Sequence, residues 1–297
     1  MNPFAKHVYG EPHTDPMYTT LLAFRSWLFA DPRHFQILAL SAFLTYGIVD
    51  LGWAGQWTAY TALLGTSCLV QATGIVWTGK SWTSMKSAAI TALGLCLLLK
   101  ANQVEVYILA AMVAIGSKFL LRIDKVHIFN PANLGIVAAI VLTGEAWISP
   151  GQWGSGPMLL FFFGSAAAMV LFRVGRLDTS LWFLGTLALL EVARSVLYLG
   201  WTFDVPLHRL SNGALLLFTF FMITDPVTTP RHKRGRIVWS VLLAAITFGV
   251  SHFYYVHTAP IWTLFFLTPF TVLFNLMWRG ERFRWFAPNP ATQSPTL

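Results

Sequence analysis

Two short stretches hold the side chains best suited to chemistry. The first is Phe129-Asn130-Pro131-Ala132-Asn133, inside "IDKVHIFNPANLGIVAAIVLTG" at 123–144. Proline lacks a backbone donor and suits the first turn of a helix. Asn130 then stands where a cap accepts one of the free amides. Asn133 and the remaining first-turn amides can face a ligand, because a helix N-terminus favours anions and electron-rich groups. The same residues also suit an ordinary membrane helix starting after a loop, and physics alone leaves both readings open. The second stretch is Ile223-Thr224-Asp225-Pro226-Val227-Thr228-Thr229-Pro230. Its carboxylate accepts several hydrogen bonds and its threonines donate them. That set suits a flavin ring edge, a ribityl hydroxyl or a cation. Equally, Pro226 can lock a helix end and leave Asp225 in a turn.

Glu191 and Arg194 lie three residues apart in an apolar segment, hence on one helix face. In lipid they must pair or face a polar interior. They are read as an intrahelical pair or as part of a proton or ion path. Asp50 and Glu105 sit near segment ends, and Asp178 sits where a helix starts, as a cap would. His208, His252 and His257 show no ligand spacing, and Cys68 and Cys96 lie in apolar runs, so neither a metal site nor a disulfide framework is expected. No phosphate loop, dinucleotide fingerprint or nucleophile elbow occurs in a usable context. Side chains of these kinds do no hydride chemistry, so electron transfer here requires a cofactor.

The elements that must hold these groups are set by composition. Of 297 residues, 56% are hydrophobic and 11% charged, against about 25% charged in a soluble domain. Phe and Trp number 24 and 13. The expected fold class is an all-α polytopic membrane protein. Apolar segments run over about 35–51, 57–78, 87–99, 104–121, 131–143, 157–174, 179–201, 211–224, 237–252 and 259–278. Three of them (87–99, 131–143 and 211–224) fall short of the roughly 20 residues of a full span. The reading is about ten transmembrane helices, with a cytoplasmic N-terminal segment at 1–34, a single transmembrane domain at 35–278 and a cytoplasmic tail at 279–297. The N-terminal 34 residues contain Glu11, Asp15 and Asp31 and no early apolar core, unlike a signal peptide.

Charge orients the chain. With both termini cytoplasmic, all of the 20 basic residues except Lys100, Arg194 and Arg209 fall on the inside, as the positive-inside rule requires. The net charge of +8 is thereby explained by topology in a cell membrane, and a nucleic-acid partner is not expected. Divided at 150, the chain gives halves of about 35–150 and 151–278 with five segments each. The third segment is short in both, a pattern of inverted repeats around a central site.

The motifs "HIFNPANLG" at 127–135 and "LSNGALLLFTFFMITDPVTTP" at 210–230, with a looser echo in "RLDTSLWFLG" at 176–185, resemble a known family. It holds the B subunit of the sodium-translocating NADH:quinone reductase and the D subunit of the Rnf electron-transport complex. Its stand-alone relatives include membrane proteins associated with enediyne biosynthesis genes. The likeness covers about residues 30 to 280. It implies ten helices in two inverted halves, flavin (FMN or riboflavin) bound within the membrane, and electron transfer among the subunits of a redox complex coupled to sodium or proton movement. Carried onto this chain, Asn130, Pro131 and Asn133 match one motif, and Thr224, Asp225, Pro226 and Thr228 the other, as flavin-site or ion-path residues. The family's Ser-Gly-Ala-Thr signature, whose threonine holds FMN through a phosphoester, is absent. The region between the halves reads "ISPGQWGSGPMLL", with no threonine at the expected place, and "LSNGALL" at 210–216 is only a partial likeness, with leucine in the threonine's position, so any flavin is expected to be non-covalent. Two other readings keep the scaffold without the cofactor: a transporter or ion-conducting protein, and a membrane scaffold for a partner protein.

Overall fold

A computed structural model describes residues 16–124, 126–154 and 157–283. Residues 1–15, Lys125 and the tail from 284 to 297 lie outside the described residues. The helices are α1 (Pro16–Ala30), α2 (Pro32–Val49), α3 (Trp57–Thr78), α4 (Met85–Leu98), α5 (Val104–Leu120), α6 (Pro131–Thr143) and α7 (Pro157–Val174). They continue as α8 (Leu177–Tyr198), α9 (Asp204–Leu210), α10 (Gly213–Met222), α11 (Lys233–Phe253) and α12 (Ala259–Met277). Short polar residues and prolines decide where several of them begin. Asp31 accepts from the Arg33 amide ahead of Pro32, Asn130 from the Asn133 amide ahead of Pro131, and Asn212 from the Ala214 amide. Each satisfies an amide that has no partner within its own helix. Gly79 and Gly144 close α3 and α6 at positive φ, where a side chain would be strained.

Two helices change pitch. The last turn of α8, Ala193–Tyr198, is a π-helix, and so is the second half of α10, Phe218–Met222. In α12 the turn Thr268–Phe270 tightens around Pro269, which cannot donate within the ladder. Among the described residues, extended structure is confined to two small antiparallel pairs. One joins β1 (Leu99–Ala101) to β4 (Ala146–Ile148), and the other joins β2 (Arg122–Ile123) to β3 (Val126–His127) between α5 and α6.

Among the described residues, four helices, α3, α8, α11 and α12, are long and apolar enough to cross a bilayer. Large apolar side chains such as Leu69 and Val76 of α3, Leu189 of α8 and Phe266 of α12 point outward. Side chains like these are stable outside only against lipid. The chain is a multi-pass, essentially all-helical membrane protein. The segments expected to be short are short helices: α4 has 14 residues and α6 has 13.

Packing inside the bundle relies on small residues and aromatic rings. Ala110 and Ala114 of α5 meet Gly135 of α6 at close range, the usual solution where lipid supplies no hydrophobic drive. Phe43 of α2 stacks on Phe163 of α7 at 4.1 Å and meets Phe221 of α10 edge-on.

Polar contacts gather at the two ends of the bundle. At one end Arg236 pairs with Asp178, Lys86 with Asp31, and Arg176 donates to Pro226 O. At the other, Trp53 donates to Gln152 O, Gln152 to Leu97 O, and Asn102 to Glu145. The first end is the more basic. Asp31 is almost wholly buried there, with Arg33 at 2.7 Å and Lys86 at 2.9 Å. Burial alone would push its carboxyl up, but the hydrogen bonds from Arg33 and Lys86 outweigh it and hold the group well below the ordinary carboxylate range. A carboxylate with a depressed pKa contributes stability above its unfolded value, near 3.9, and loses it as pH falls through the folded value. Asp31→Asn should therefore lower the melting temperature by several degrees at pH 7. The gap from wild type should narrow only below about pH 4, as read by thermal melts in detergent across pH.

Candidate functional site

Both proline motifs end up at the basic end of the bundle. Asn130 turns the chain from the β2–β3 hairpin into α6. Its Oδ1 accepts from Asn133 N at 3.0 Å, and its Nδ2 donates to Met222 O at 3.1 Å. One buried amide therefore caps α6 and clamps the last turn of α10. Asn133 also faces inward, but its Nδ2 donates to Ile261 O in the first turn of α12 at 2.9 Å. Phe129 stacks on Phe265 of the same helix.

Beyond Met222 the chain cannot continue as a helix through Pro226, and Asp225 organises the turn instead. Its Oδ1 accepts from Val227 N at 3.0 Å and its Oδ2 from Thr228 Oγ1 at 3.2 Å. The Thr229 hydroxyl donates to Asp225 O, and the Thr224 hydroxyl to Phe220 O. His127 Nε2 lies 3.7 Å from Asp225 Oδ2. Burial pushes the Asp225 carboxyl up, but His127, the Val227 amide and the Thr228 hydroxyl together hold it below the ordinary range.

These residues border one cavity of about 560 Å³. Asn130, Pro131, Thr224, Asp225 and Pro226 line it. Asn133 and Thr228 stand behind the wall, tying α6 to α12 and orienting Asp225. Leu40, Ile90, Leu98, Leu217, Phe221 and Met222 supply apolar surface, and Gln71, Ser87, Lys118 and His127 supply polar groups. Lys80 stands over the Phe119 ring at 4.9 Å, and burial followed by the nearby Arg122 charge pushes its ammonium down. Just behind Pro226, burial followed by the Arg236 charge pushes the Arg176 guanidinium down to about 10. The region is crowded with positive charge.

Glu191 and Arg194 belong elsewhere. At the opposite end of the bundle Glu191 Oε1 meets His252 Nε2 at 2.7 Å, and its Oε2 meets Arg209 Nη1 at 3.3 Å. No ion pair joins Glu191 to Arg194 among the described residues. The π-turn beginning at Ala193 changes the helical period, so a spacing of three no longer aligns the two side chains. Leu215, from the partial likeness at 210–216, lies in the first turn of α10 and outside the cavity lining.

No family model matches the chain. Three curated proteins, each the D subunit of an ion-translocating oxidoreductase complex, are similar to part of it. The one from Tolumonas auensis is 34% identical over 138 residues, covering 46% of this chain and 39% of the relative. The one from Erwinia tasmaniensis is 29% identical over 129 residues, covering 42% and 31%. The one from Shewanella sediminis is 39% identical over 71 residues, covering 23% and 20%. Part of the chain is similar to these D subunits. It spans well under half the length of the curated relatives it matches.

Four lining residues, Gln71, Ser87, Lys118 and His127, are not among the sequence candidates. His127 stands three residues before Asn130 in the quoted motif, close enough to have been named. Lys118 had a clearer signal. It lies inside an apolar segment, where a charge marks a polar interior or a ligand, yet the topology reading counts it as an inside charge.

Proposed function

We propose that the chain is the flavin-binding membrane subunit of an electron-transfer complex, with ten spans in two inverted five-helix halves and flavin in the cavity beneath Asn130 and Asp225. The observation that carries this is the convergence of the two motifs, 92 residues apart, through the Asn130–Met222 hydrogen bond onto one cavity. Its volume lies in the range of roughly 300–1,000 Å³ typical of cofactor sites. Its make-up also fits a flavin, since apolar walls suit a tricyclic ring and a few convergent polar groups suit its edge and hydroxyls. Bound flavin would supply the one- and two-electron chemistry that no side chain here performs. The chain's own part is to exclude water, orient the ring through Asn130 and Asp225, and set the local charge. With no Ser-Gly-Ala-Thr signature in the chain, retention rests on non-covalent contacts.

Packing supports the inverted halves. In the first half α2 packs on α4, α3 on α5 and α5 on α6. In the second, α7 packs on α10, α8 on α11 and α11 on α12. Between the halves like meets like, α2 with α7 and α6 with α12. Partners are the other subunits of the complex and the lipid bilayer, with the basic end of the bundle cytoplasmic. Coupling to sodium or proton movement belongs to the same reading, with Glu191 and Arg194 as ion-path residues near the opposite end.

The buried Glu191–His252 pair, joined by the exposed Arg209 and lying beside a π-turn, favours a second reading, an ion-conducting protein without cofactor. The visible spectrum of detergent-purified protein separates the two. The flavin reading expects a stoichiometric flavin band whose pigment leaves the protein on denaturation, and a colourless folded protein overturns it. Asp225→Asn should lower flavin occupancy about tenfold, the loss of one charge-assisted hydrogen bond. It should also make the flavin potential less negative, because a nearby negative charge is removed. Unchanged occupancy and potential would take Asp225 out of the site.

A further inference from the structure

The helix α1 stands outside the bundle it precedes. Every residue from 17 to 27 is exposed, and Tyr18, Leu21, Leu22 and Phe24 each leave between 43% and 56% of their surface open. The contacts that tie α1 to the bundle come from its last turn. Leu28 packs against the cluster of Phe35 from α2 and Val170 and Val174 from α7. Trp27 stacks on His34, and Arg173 of α7 lies over the Phe29 ring. So large an apolar surface is not stable against water, and a helix this short is marginal there without a partner. Nor can α1 cross the bilayer. Its 15 residues span about 22 Å, against about 30 Å of hydrocarbon. It ends at Asp31, which Arg33 and Lys86 pin at the basic end of the bundle.

The faces of α1 say which way it lies. At the helical period Leu21, Phe24 and Leu28 share one side, and the packing of Leu28 shows that this side turns towards the bundle. Ala23, Ser26 and Ala30 share the opposite side. They are small, and the Ser26 hydroxyl already donates to Ala23 O. Tyr18, Arg25 and Trp27 stand on the flanks. A helix lying flat in a membrane surface has this pattern, with bulky apolar side chains below, small weakly polar ones above and amphipathic rings between. Lipid is what covers the apolar side, because the helices to which Leu28 attaches are themselves lipid-facing there. Leu38 of α2 and Met169 and Phe172 of α7 are exposed. Charge agrees. α1 carries Arg25 and no acid, and Arg173 stands beside Phe29. Guanidinium groups in such places suit lipid phosphates, which they grip in a fork.

We propose that α1 is an in-plane anchor whose partner is the bilayer surface itself. It lies in the headgroup layer at the basic end of the bundle, with Leu21 and Phe24 in the acyl boundary, Ser26 towards water and Arg25 on the lipid phosphates. Residues 16–30 thus belong to the membrane and not to a cytoplasmic segment. The inference rests on the membrane character of the chain and is independent of the flavin reading.

The test places a nitroxide on a single added cysteine of the full-length chain, Leu21→Cys or Ser26→Cys, in vesicles of phosphatidylcholine with phosphatidylglycerol. Cys68 is replaced by alanine, and Cys96, 1% exposed, stays unlabelled. Protein without an added cysteine gives the background. Collisions with oxygen, which concentrates in lipid, and with a water-soluble nickel chelate report where each label sits. The label at 21 should be severalfold more open to oxygen than to nickel, and the label at 26 the reverse. Phe24→Cys and Ala23→Cys should repeat the contrast, so one poorly folding variant does not decide the matter. Arg25→Glu should raise nickel exposure at 21 severalfold in these vesicles, and less in phosphatidylcholine alone. Nickel reaching 21 and 26 alike puts α1 in water and overturns the anchor. Low exposure of 21 to both reagents overturns it too, because protein (another subunit or a second copy) then covers the apolar side. Unchanged exposure in Arg25→Glu overturns the phosphate contact.

Discussion

Asn130→Ala is expected to destabilise the protein by roughly 3 kcal/mol and to strip most of its flavin. The side chain does two jobs, and alanine does neither. Loss of the cap to Asn133 N costs about 1 kcal/mol. Loss of the donor leaves Met222 O, a buried carbonyl, with only the long contact from Asp225 N at 3.5 Å, at a further cost of about 1–3 kcal/mol. Met222 is the last residue of α10, and Asp225 hangs from the turn that follows it. Slackening the clamp therefore moves the carboxylate as well as the start of α6. Asn130→Asp separates the two roles. It keeps an acceptor for the Asn133 amide but has no donor for Met222 O, and it sets a negative charge against that carbonyl. It should keep α6 capped and still lose flavin. Melting temperature and flavin-to-protein ratio after size exclusion read both effects. Wild-type flavin content in Asn130→Asp would mean that the link from α6 to α10 is irrelevant to the site.

Helix starts were legible because they follow local rules. Asn130 ahead of Pro131 reads as a cap from sequence, and it is one. The membrane character was legible from composition, and the short third segments from the spacing of polar residues. Partners set by tertiary packing were not legible. Glu191 looks toward Arg194 only if α8 keeps a regular period, and the π-turn from Ala193 breaks that period. Its actual partners, Arg209 and His252, come from α9 and α11, at separations no local pattern encodes. The same holds for Asn133: its position in the motif suggests a ligand, whereas its amide is taken up by Ile261 O. Lys118 is illegible for a different reason. A basic residue near a helix end satisfies the topology rule, and nothing in the sequence says whether it snorkels outward or turns into a cavity. That depends on Gln71 and Ser87 standing opposite it on α3 and α4.

Gly135→Val is expected to have the largest effect of any single change considered, leaving little or no folded protein. A β-carbon at 135 would stand 2.6 Å from Ala110 O and 2.8 Å from the Ala114 side chain. The first of these is backbone inside α5 and cannot rotate away. The two helices would have to separate, and close approach of small residues is what holds helices together in lipid. Even Gly135→Ala should cost about 3 kcal/mol, at the upper end of overpacking. The consequence reaches the site directly. Lys118 lies one turn beyond Ala114 on α5, and Asn130 caps α6, so parting the helices widens the cavity between its cationic side and its asparagine. Gly116 supplies the control. It lies on the same helix as Ala114, and nothing stands within 4 Å of an added β-carbon there. Gly116→Ala should be neutral or gain up to about 1 kcal/mol from better helix propensity. Detergent melts and size-exclusion profiles of the three variants decide the matter. A Gly135→Ala protein that melts with wild type would show that α5 and α6 do not meet at this point, and the geometry assigned to the cavity would fall with that contact.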